Sequence, residues 1–357
     1  VAVTDTLNPI GFKRRKIVLT FHVERRDGTQ ETININGSYR IRATISNAGL
    51  SVGREVNLAI EGLPLDIMNR LSFIAGYAAD DGSKIIGISR SSVRVFTGVL
   101  DEALATIFDG NISEAYVDYS AAPDVTFRVR AQDLNRFSKT VNDQVGYREA
   151  MPPAAILSDI CVRNGIKFFD HGGWGSNDRL KVNYLNGDLL TQLKRILHSV
   201  KGEVRLDPAA GINNNGELST GIPILHAWGR FATRGEGVTP DTIPVISAEN
   251  GMIGYPRYSP VGCQIITIFR PELTFYSLVK LESRYLPAAF ASLDENGFNQ
   301  MRQFVIKDEN AQKSPWDGYW LVVAVNHDLS CEVPGGPWIT ELECMVSAFA
   351  QRFPVVR

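Results

Sequence analysis

Long hydrophobic runs are missing from this sequence. No apolar stretch approaches the ~18 residues that a membrane-spanning helix needs, and the first residues carry no signal-peptide core. The chain therefore reads as a soluble protein made inside the cell. Cysteine is scarce: Cys161, Cys263, Cys331 and Cys344 are the only four in 357 residues, and no two form a Cys-x-x-Cys pair. That excludes a disulfide scaffold and a cysteine-based zinc module. Neither sign of charge prevails, with 37 Lys and Arg against 39 Asp and Glu for a net charge of -2. A sequence-independent nucleic-acid binder would carry a basic stripe instead. Disorder is excluded by a hydrophobic fraction of 44% beside only 21% charged residues.

Enzyme motifs are absent as well. The sequence holds no Gly-x-x-x-x-Gly-Lys-Ser/Thr phosphate loop, no Gly-x-Gly-x-x-Gly dinucleotide turn and no His-Glu-x-x-His zinc helix. It also lacks the Gly-x-Ser-x-Gly nucleophile elbow. His171-Gly172-Gly173 resembles the runs that supply oxyanion-hole N–H groups in esterases, but without an elbow it reads as a tight turn after a strand. His327-Asp328 could be a base and its orienting acid; a polar strand end is the plainer reading. His22 and His226 stand singly in strand-like runs, where a packed or hydrogen-bonded imidazole fits better than a metal ligand. Asp80-Asp81 and Glu341/Glu343 read as solvated or interface-facing carboxylates. No catalytic, cofactor-binding or metal-binding residue is assigned, and no cofactor is expected.

What the sequence does have is turns. Among its 31 glycines, six follow Asn and four follow Asp, and such dipeptides separate short runs of alternating polarity. Ile17, Leu19, Phe21 and Val23 share one face of an extended segment, with Thr20, His22 and Glu24 on the other. Ile41, Ala43 and Ile45 alternate with arginines and Thr44. Val56, Leu58 and Ile60 do the same, as do Val125, Phe127 and Val129, and later Leu342, Cys344 and Val346. This pattern predicts antiparallel barrels or sandwiches. One short helix should follow Pro64, with Leu65, Met68 and Leu71 on its buried face.

The middle changes character. Pro152-Pro153 precedes a helical stripe of Ile156, Leu157, Ile160 and Cys161. Asp188 is a plausible N-cap for a second stripe of Leu189, Leu193, Ile196, Leu197 and Val200, which Lys201-Gly202 closes. The fold class is therefore mainly β with an α+β insert: two tube-like β-barrel domains flanking a small α/β domain. The boundaries fall at 1–150, 151–243 and 244–357, and the last part contains an insertion at 283–318 with one helix around Asn299 to Ile306.

Charge is unevenly spread. The first 54 residues hold nine basic and four acidic groups, leaving 28 basic and 35 acidic for the rest. The densest run, Lys13-Arg14-Arg15-Lys16, has two readings: a solvated strand edge that resists edge-to-edge pairing, or a docking surface for an acidic partner. The split suits head-to-tail docking between unlike surfaces.

A set of motifs then follows in a definite order. Asn250-Gly251-Met252-Ile253-Gly254-Tyr255-Pro256 precedes Gly262-Cys263-Gln264-Ile265, then Phe269-Arg270-Pro271-Glu272-Leu273 and Val279-Lys280-Leu281-Glu282-Ser283. Gly318-Tyr319-Trp320-Leu321-Val322 and His327-Asp328-Leu329-Ser330 come later. Ile60-Glu61-Gly62-Leu63-Pro64 and Val95-Phe96-Thr97-Gly98-Val99-Leu100 fit the same order at the N-terminal end. Over roughly residues 15 to 350 this order resembles the baseplate hub, or tail-tip hub, proteins of bacteriophages with contractile tails. These are turn and packing residues, and none is catalytic.

The resemblance implies a structural, non-enzymatic role. Three copies would form a homotrimer around the tail axis, each giving two similar barrels, and so adapt the sixfold tail tube to a threefold central spike. The implied partners are the tail tube protein, the central spike protein and other baseplate proteins, with transient passage of DNA and no membrane insertion. The implied location is the baseplate of the virion tail, assembled in the host bacterial cytoplasm. Two alternatives stand beside it: the hub of a contractile secretion or toxin-injection machine, and a tail-associated cell-wall hydrolase.

Overall fold

The computed structural model describes residues 14–25, 29–36, 39–49, 53–74, 77–78, 85–86, 91–100, 103–133, 144–207, 223–232, 242–258, 262–283, 289–293, 299–303 and 317–346. Lys13, the Asp80-Asp81 pair and both ends of the chain lie outside them.

The first part is built from strands β1 (Arg15–Glu24), β2 (Gln30–Ile35), β3 (Arg40–Asn47) and β4 (Arg54–Glu61), then helix α1 (Leu65–Leu71). The short strands β5 (Phe73–Ile74), β6 (Tyr77–Ala78) and β7 (Ile85–Ile86) follow, then β8 (Ser92–Val99), β9 (Ala105–Asp118) and β10 (Thr126–Gln132). Period-two alternation puts Ile41, Ala43 and Ile45 of β3 and Phe127, Val129 and Ala131 of β10 in one core, while Arg40, Arg42, Arg128 and Arg130 face outward. In α1, Met68 and Leu71 are buried as expected, but Leu65 is exposed.

The middle holds α2 (Pro153–Arg163), β11 (Lys167–Asp170), α3 (Leu189–Val200), β12 (Glu203–Asp207) and β13 (Ile224–Trp228). Pro153 occupies the first turn of α2, where a missing N–H costs nothing. The Asp188 carboxylate accepts from Thr191 N at 2.6 Å and caps α3. At the other end the left-handed conformation falls on Lys201, with φ 52°, and not on Gly202. Gly202 is needed for space, since a Cβ there would lie 2.9 Å from the Trp174 ring. Both helices pack on the three-stranded sheet β11-β13-β12 around a separate core that includes Ile156, Ile160, Leu193, Ile196 and Leu225.

The last part contains β14 (Val245–Ser247), β15 (Arg257–Tyr258), β16 (Gly262–Ile268), β17 (Leu278–Glu282), β18 (Ala289–Leu293), β19 (Asn299–Gln303), β20 (Gly318–Cys331) and β21 (Trp338–Val346). The helix expected near Asn299 is instead a strand: β19 pairs with β18 as an antiparallel hairpin. Helix propensity of residues such as Gln300, Met301 and Arg302 is a weak preference, and strand pairing overrides it.

The protein is mainly β with few helices, but the described strands do not close into two barrels. Fourteen belong to one sheet, whose main order is β15-β16-β21-β20-β3-β4-β10-β9-β8-β1-β2. The reason is β20. It is 14 residues long and pairs with β17 through its first residues and with β3 through Val325 to Cys331. A register shift against β21 between Val322 and Ala324 marks the change. Trp320, Val322 and Val325 enter the core of the last part, and Leu329 and Cys331 enter that of the first. A single strand thus fills two cores, and the sheet runs on from one half to the other.

Candidate functional site

A cluster of titratable side chains lies where β12 and β13 of the middle part meet both halves of the long sheet. On β12, Arg205 and Asp207 share a face because they are two residues apart, and His226 of β13 lies beside them. His226 Nε2 is 3.2 Å from the Asp207 carboxylate, and His226 Nδ1 is 2.9 Å from His171 Nε2. An ionised carboxylate only accepts. A neutral His226 therefore donates through Nε2 to Asp207 and accepts at Nδ1 from the Nε2–H of His171. Among the described residues, His171 then meets rings and no hydroxyl or thiol: it stacks on Trp228 at 4.4 Å between centroids and lies 4.7 Å from Phe169.

Two guanidiniums complete the cluster. Arg54 of β4 donates to Asp207 at 3.0 Å, reaching from the first part, with its own backbone N held by Asp133 Oδ1 at 2.8 Å. Arg205 bonds Asp207 and also reaches Thr274 Oγ1 at 3.0 Å and the Phe275 carbonyl at 3.3 Å, in the last part. Trp228 packs edge-on to Tyr276 at 5.0 Å. Tyr276 holds a left-handed backbone with φ 67°, costly for an aromatic residue. One carboxylate therefore ties three stretches of chain together.

Burial alone would raise the Asp207 carboxyl, but the His226 hydrogen bond and the charges of Arg205 and Arg54 overcome it and hold it at about 2. His171 is lowered to about 4, by burial first and then by His226 and Arg205, against the pull of Asp170 and Asp207. Beside the cluster is a cavity of about 220 Å³ between the two halves and the middle part, lined by Arg54, Thr106, Asp207, Thr274 and His327. The arrangement is a clasp with the form of a proton relay, whose far end, His171, stacks on the Trp228 ring.

The histidines expected to be bland are placed as follows. His171-Gly172-Gly173 is the expected tight turn after β11, with both glycines at positive φ. The His171 side chain nonetheless meets His226 and, through it, Asp207, which local spacing did not suggest, since the three come from separate stretches of the chain. His22 packs in β1 with Nδ1 3.1 Å from Thr32 Oγ1. His327-Asp328 lies inside β20 and not at a strand end. Alternation buries His327 against Thr340 Oγ1 at 2.9 Å and turns Asp328 outward, so the two cannot act as a pair. Glu341 accepts from Gln264 Nε2 on the neighbouring strand, and Glu343 is exposed.

The two arginines of the basic run are engaged within the chain. Arg14 Nε bonds Glu332 Oε1 at 2.8 Å, while Arg15 bonds the Gly336 carbonyl at 3.0 Å and lies over Trp338. These contacts fasten the start of β1 to the β20–β21 turn. Other early arginines are paired too, Arg40 with Glu61 and Arg54 with Asp207. Three arginines of the basic early stretch, Arg14, Arg40 and Arg54, are thus paired with carboxylates later in the sequence.

The Gly251–Pro256 turn covers part of a sheet edge. Ile253 N donates to Ile266 O and Ile268 N to Gly251 O, both at 2.8 Å, leaving Ile253, Tyr255 and Ile268 exposed. Gly251 has φ 91°, and a Cβ there would collide with the Ile268 side chain. Among the described residues, no group of three or more His, Cys, Asp or Glu could hold a metal ion, and no helix is long and apolar enough to cross a membrane.

No family model matches the chain and no curated protein does. Among solved structures, two similar chains are tail proteins. The 43 kDa tail protein of prophage MuSo2 from Shewanella oneidensis shares 11% identity at a TM-score of 0.46, over 93% of this chain and 96% of that one. The tail protein from Neisseria meningitidis MC58 shares 8% at 0.47, over 93% and 97%. Both scores are too low to carry a role over to this chain.

Proposed function

We propose that the protein is a structural subunit of a bacteriophage tail tip, a baseplate hub that acts as a homotrimeric adaptor between the sixfold tail tube and a threefold central spike. The observation that carries this reading is the motif order along residues 15 to 350, whose described members stand in turns such as Gly251 to Pro256 and within strands such as β8, β17 and β20. The turn at Gly251 to Pro256 borders an edge, and Gly318 opens the strand that joins the two halves.

In this reading residues 1–150 and 244–357 form two tube-like modules, with 151–243 between them. Neighbouring copies complete the curved halves that one chain leaves open, because sheet edges join readily across a symmetric ring. The tube, spike and other baseplate proteins dock on the two faces of the ring. DNA passes without being held, since a near-neutral wall makes few phosphate contacts. No catalysis is assigned. The protein resides in the virion baseplate after assembly in the host cytoplasm.

Native mass measurement of the full chain at high concentration tests the reading, with a threefold mass expected. A strictly monomeric mass, both alone and in tails taken apart gently, would overturn it. A lysis band in a peptidoglycan zymogram would favour the hydrolase alternative.

A further inference from the structure

We propose that Cys263 of β16 and Cys344 of β21 form a redox pair that oxidises to a cross-strand disulfide. The two residues are direct partners in the antiparallel register of these strands. Opposed Cα atoms in such a ladder lie about 4.5 or 5.5 Å apart, depending on the hydrogen-bonding site, and both values fall inside the range of roughly 4.4–6.8 Å that a disulfide spans. Direct partners also project from the same face. Both side chains are buried in one apolar cluster with Ile265 and Leu342. The neighbouring Cys263 thiol, together with burial, raises the Cys344 thiol above its usual range.

The other two cysteines have no such partner. Cys161 belongs to the core of the middle part, and Cys331 lies in the first core with its sulfur 3.7 Å from the Tyr39 carbonyl. Access to Cys263 is through a thin edge: β15 opposes it with a strand of only two residues, Arg257 and Tyr258, and Tyr258 is its partner there.

The chemistry is thiol–disulfide exchange with a small disulfide such as oxidised glutathione. One cysteine, as thiolate, attacks the oxidant and releases one glutathione thiol, giving a mixed disulfide. The second displaces the other glutathione and closes the Cys263–Cys344 bond. Two protein thiols lose two electrons and two protons, and one oxidant disulfide becomes two thiols. Reaction should quicken as pH rises, because the thiolate is the nucleophile. A reducing cytosol keeps the pair open and an oxidising exterior closes it. That timing rests on the tail reading above, whereas the exchange itself does not.

The test is to incubate the folded full chain with oxidised glutathione at mildly alkaline pH, then count thiols and map peptides after unfolding in a thiol-blocking agent. The expected result is two free thiols remaining of four, a peptide linking Cys263 to Cys344, and a melting temperature that rises and returns on reduction. A variant carrying Cys161→Ser and Cys331→Ser should give the same link, and Cys263→Ser should abolish it. Four free thiols after prolonged exposure, a persistent glutathione adduct, or a link through Cys161 or Cys331 would overturn the proposal. A monomeric mass would overturn the hub reading and leave this result untouched.

Discussion

Single residues show where the backbone is under load. Lys201 takes the left-handed conformation that closes α3, a place where glycine is favoured. Lys201→Gly should raise stability by about 1 kcal/mol in urea unfolding, since a side chain in this conformation costs roughly 1–2 kcal/mol. Asp188→Ala at the other end should lower it by about 1 kcal/mol through loss of the N-cap. Buried imidazoles set the response to acid. His171 and His327 are both held at about 4, chiefly by burial, while an unfolded histidine titrates near 6.5. Between these values the unfolded chain binds more protons, so stability must fall as pH drops from about 6.5 toward 4. Asp207 acts lower on the scale: its contribution persists until pH falls below about 3.8 and is lost toward 2. Thermal melts from pH 8 to 4 should show a plateau above 6.5 and a decline below it. A melting temperature constant down to pH 4 would contradict the buried, neutral imidazoles.

At the level of elements, the middle part is held to the long sheet by side chains. Among the described residues no strand ladder joins β11, β12 or β13 to it. The Asp207 carboxylate is the shared acceptor of Arg54, Arg205 and His226, so Asp207→Asn leaves two largely buried cations short of their counter-charge. The expected loss is about 3 kcal/mol, the scale for breaking one partner of a buried pair. In hydrogen exchange the loss should appear in β12 and β13 more than in β8 to β10; equal loss everywhere would show that the clasp is not local. Much of this level was legible in the sequence. Alternation located β1, β3, β4, β10 and β21, and Asp188 and Pro153 marked the helix starts, because such signals act between near neighbours. The clasp was not legible. Its members come from positions 54, 171, 205, 207 and 226: pairing of β11, β12 and β13 gathers the last four, and packing of the middle part on the long sheet brings in Arg54. The helix expected near Asn299 failed because the segment pairs instead with β18 as a hairpin, whose strand pairing outweighs a weak helix preference.

The whole molecule turns on β20, where the sequence offers two separate motifs, Gly318 to Val322 and His327 to Ser330, without indicating that one strand carries both and joins the two halves. Two separate barrels would unfold as two units, each with its own stability. A sheet whose central strand places Trp320 and Val322 in one core and Leu329 in another should transmit a defect from one to the other, because strands that share a ladder lose their hydrogen bonds together. Leu329→Ala tests this. Leu329 is fully buried in the first core, and truncating such a leucine costs about 2–5 kcal/mol. If the sheet is one cooperative unit, amides of β16 and β17 should lose as much exchange protection as those of β3 and β4, although neither β16 nor β17 lies in the core that was cut. The core of α2 and α3 is separate and should be spared most of the loss. Protection that drops in β3 and β4 while β16 and β17 keep theirs would mean that β20 links two independent folding units. The open sheet would then behave energetically as the pair of modules that alternation suggested.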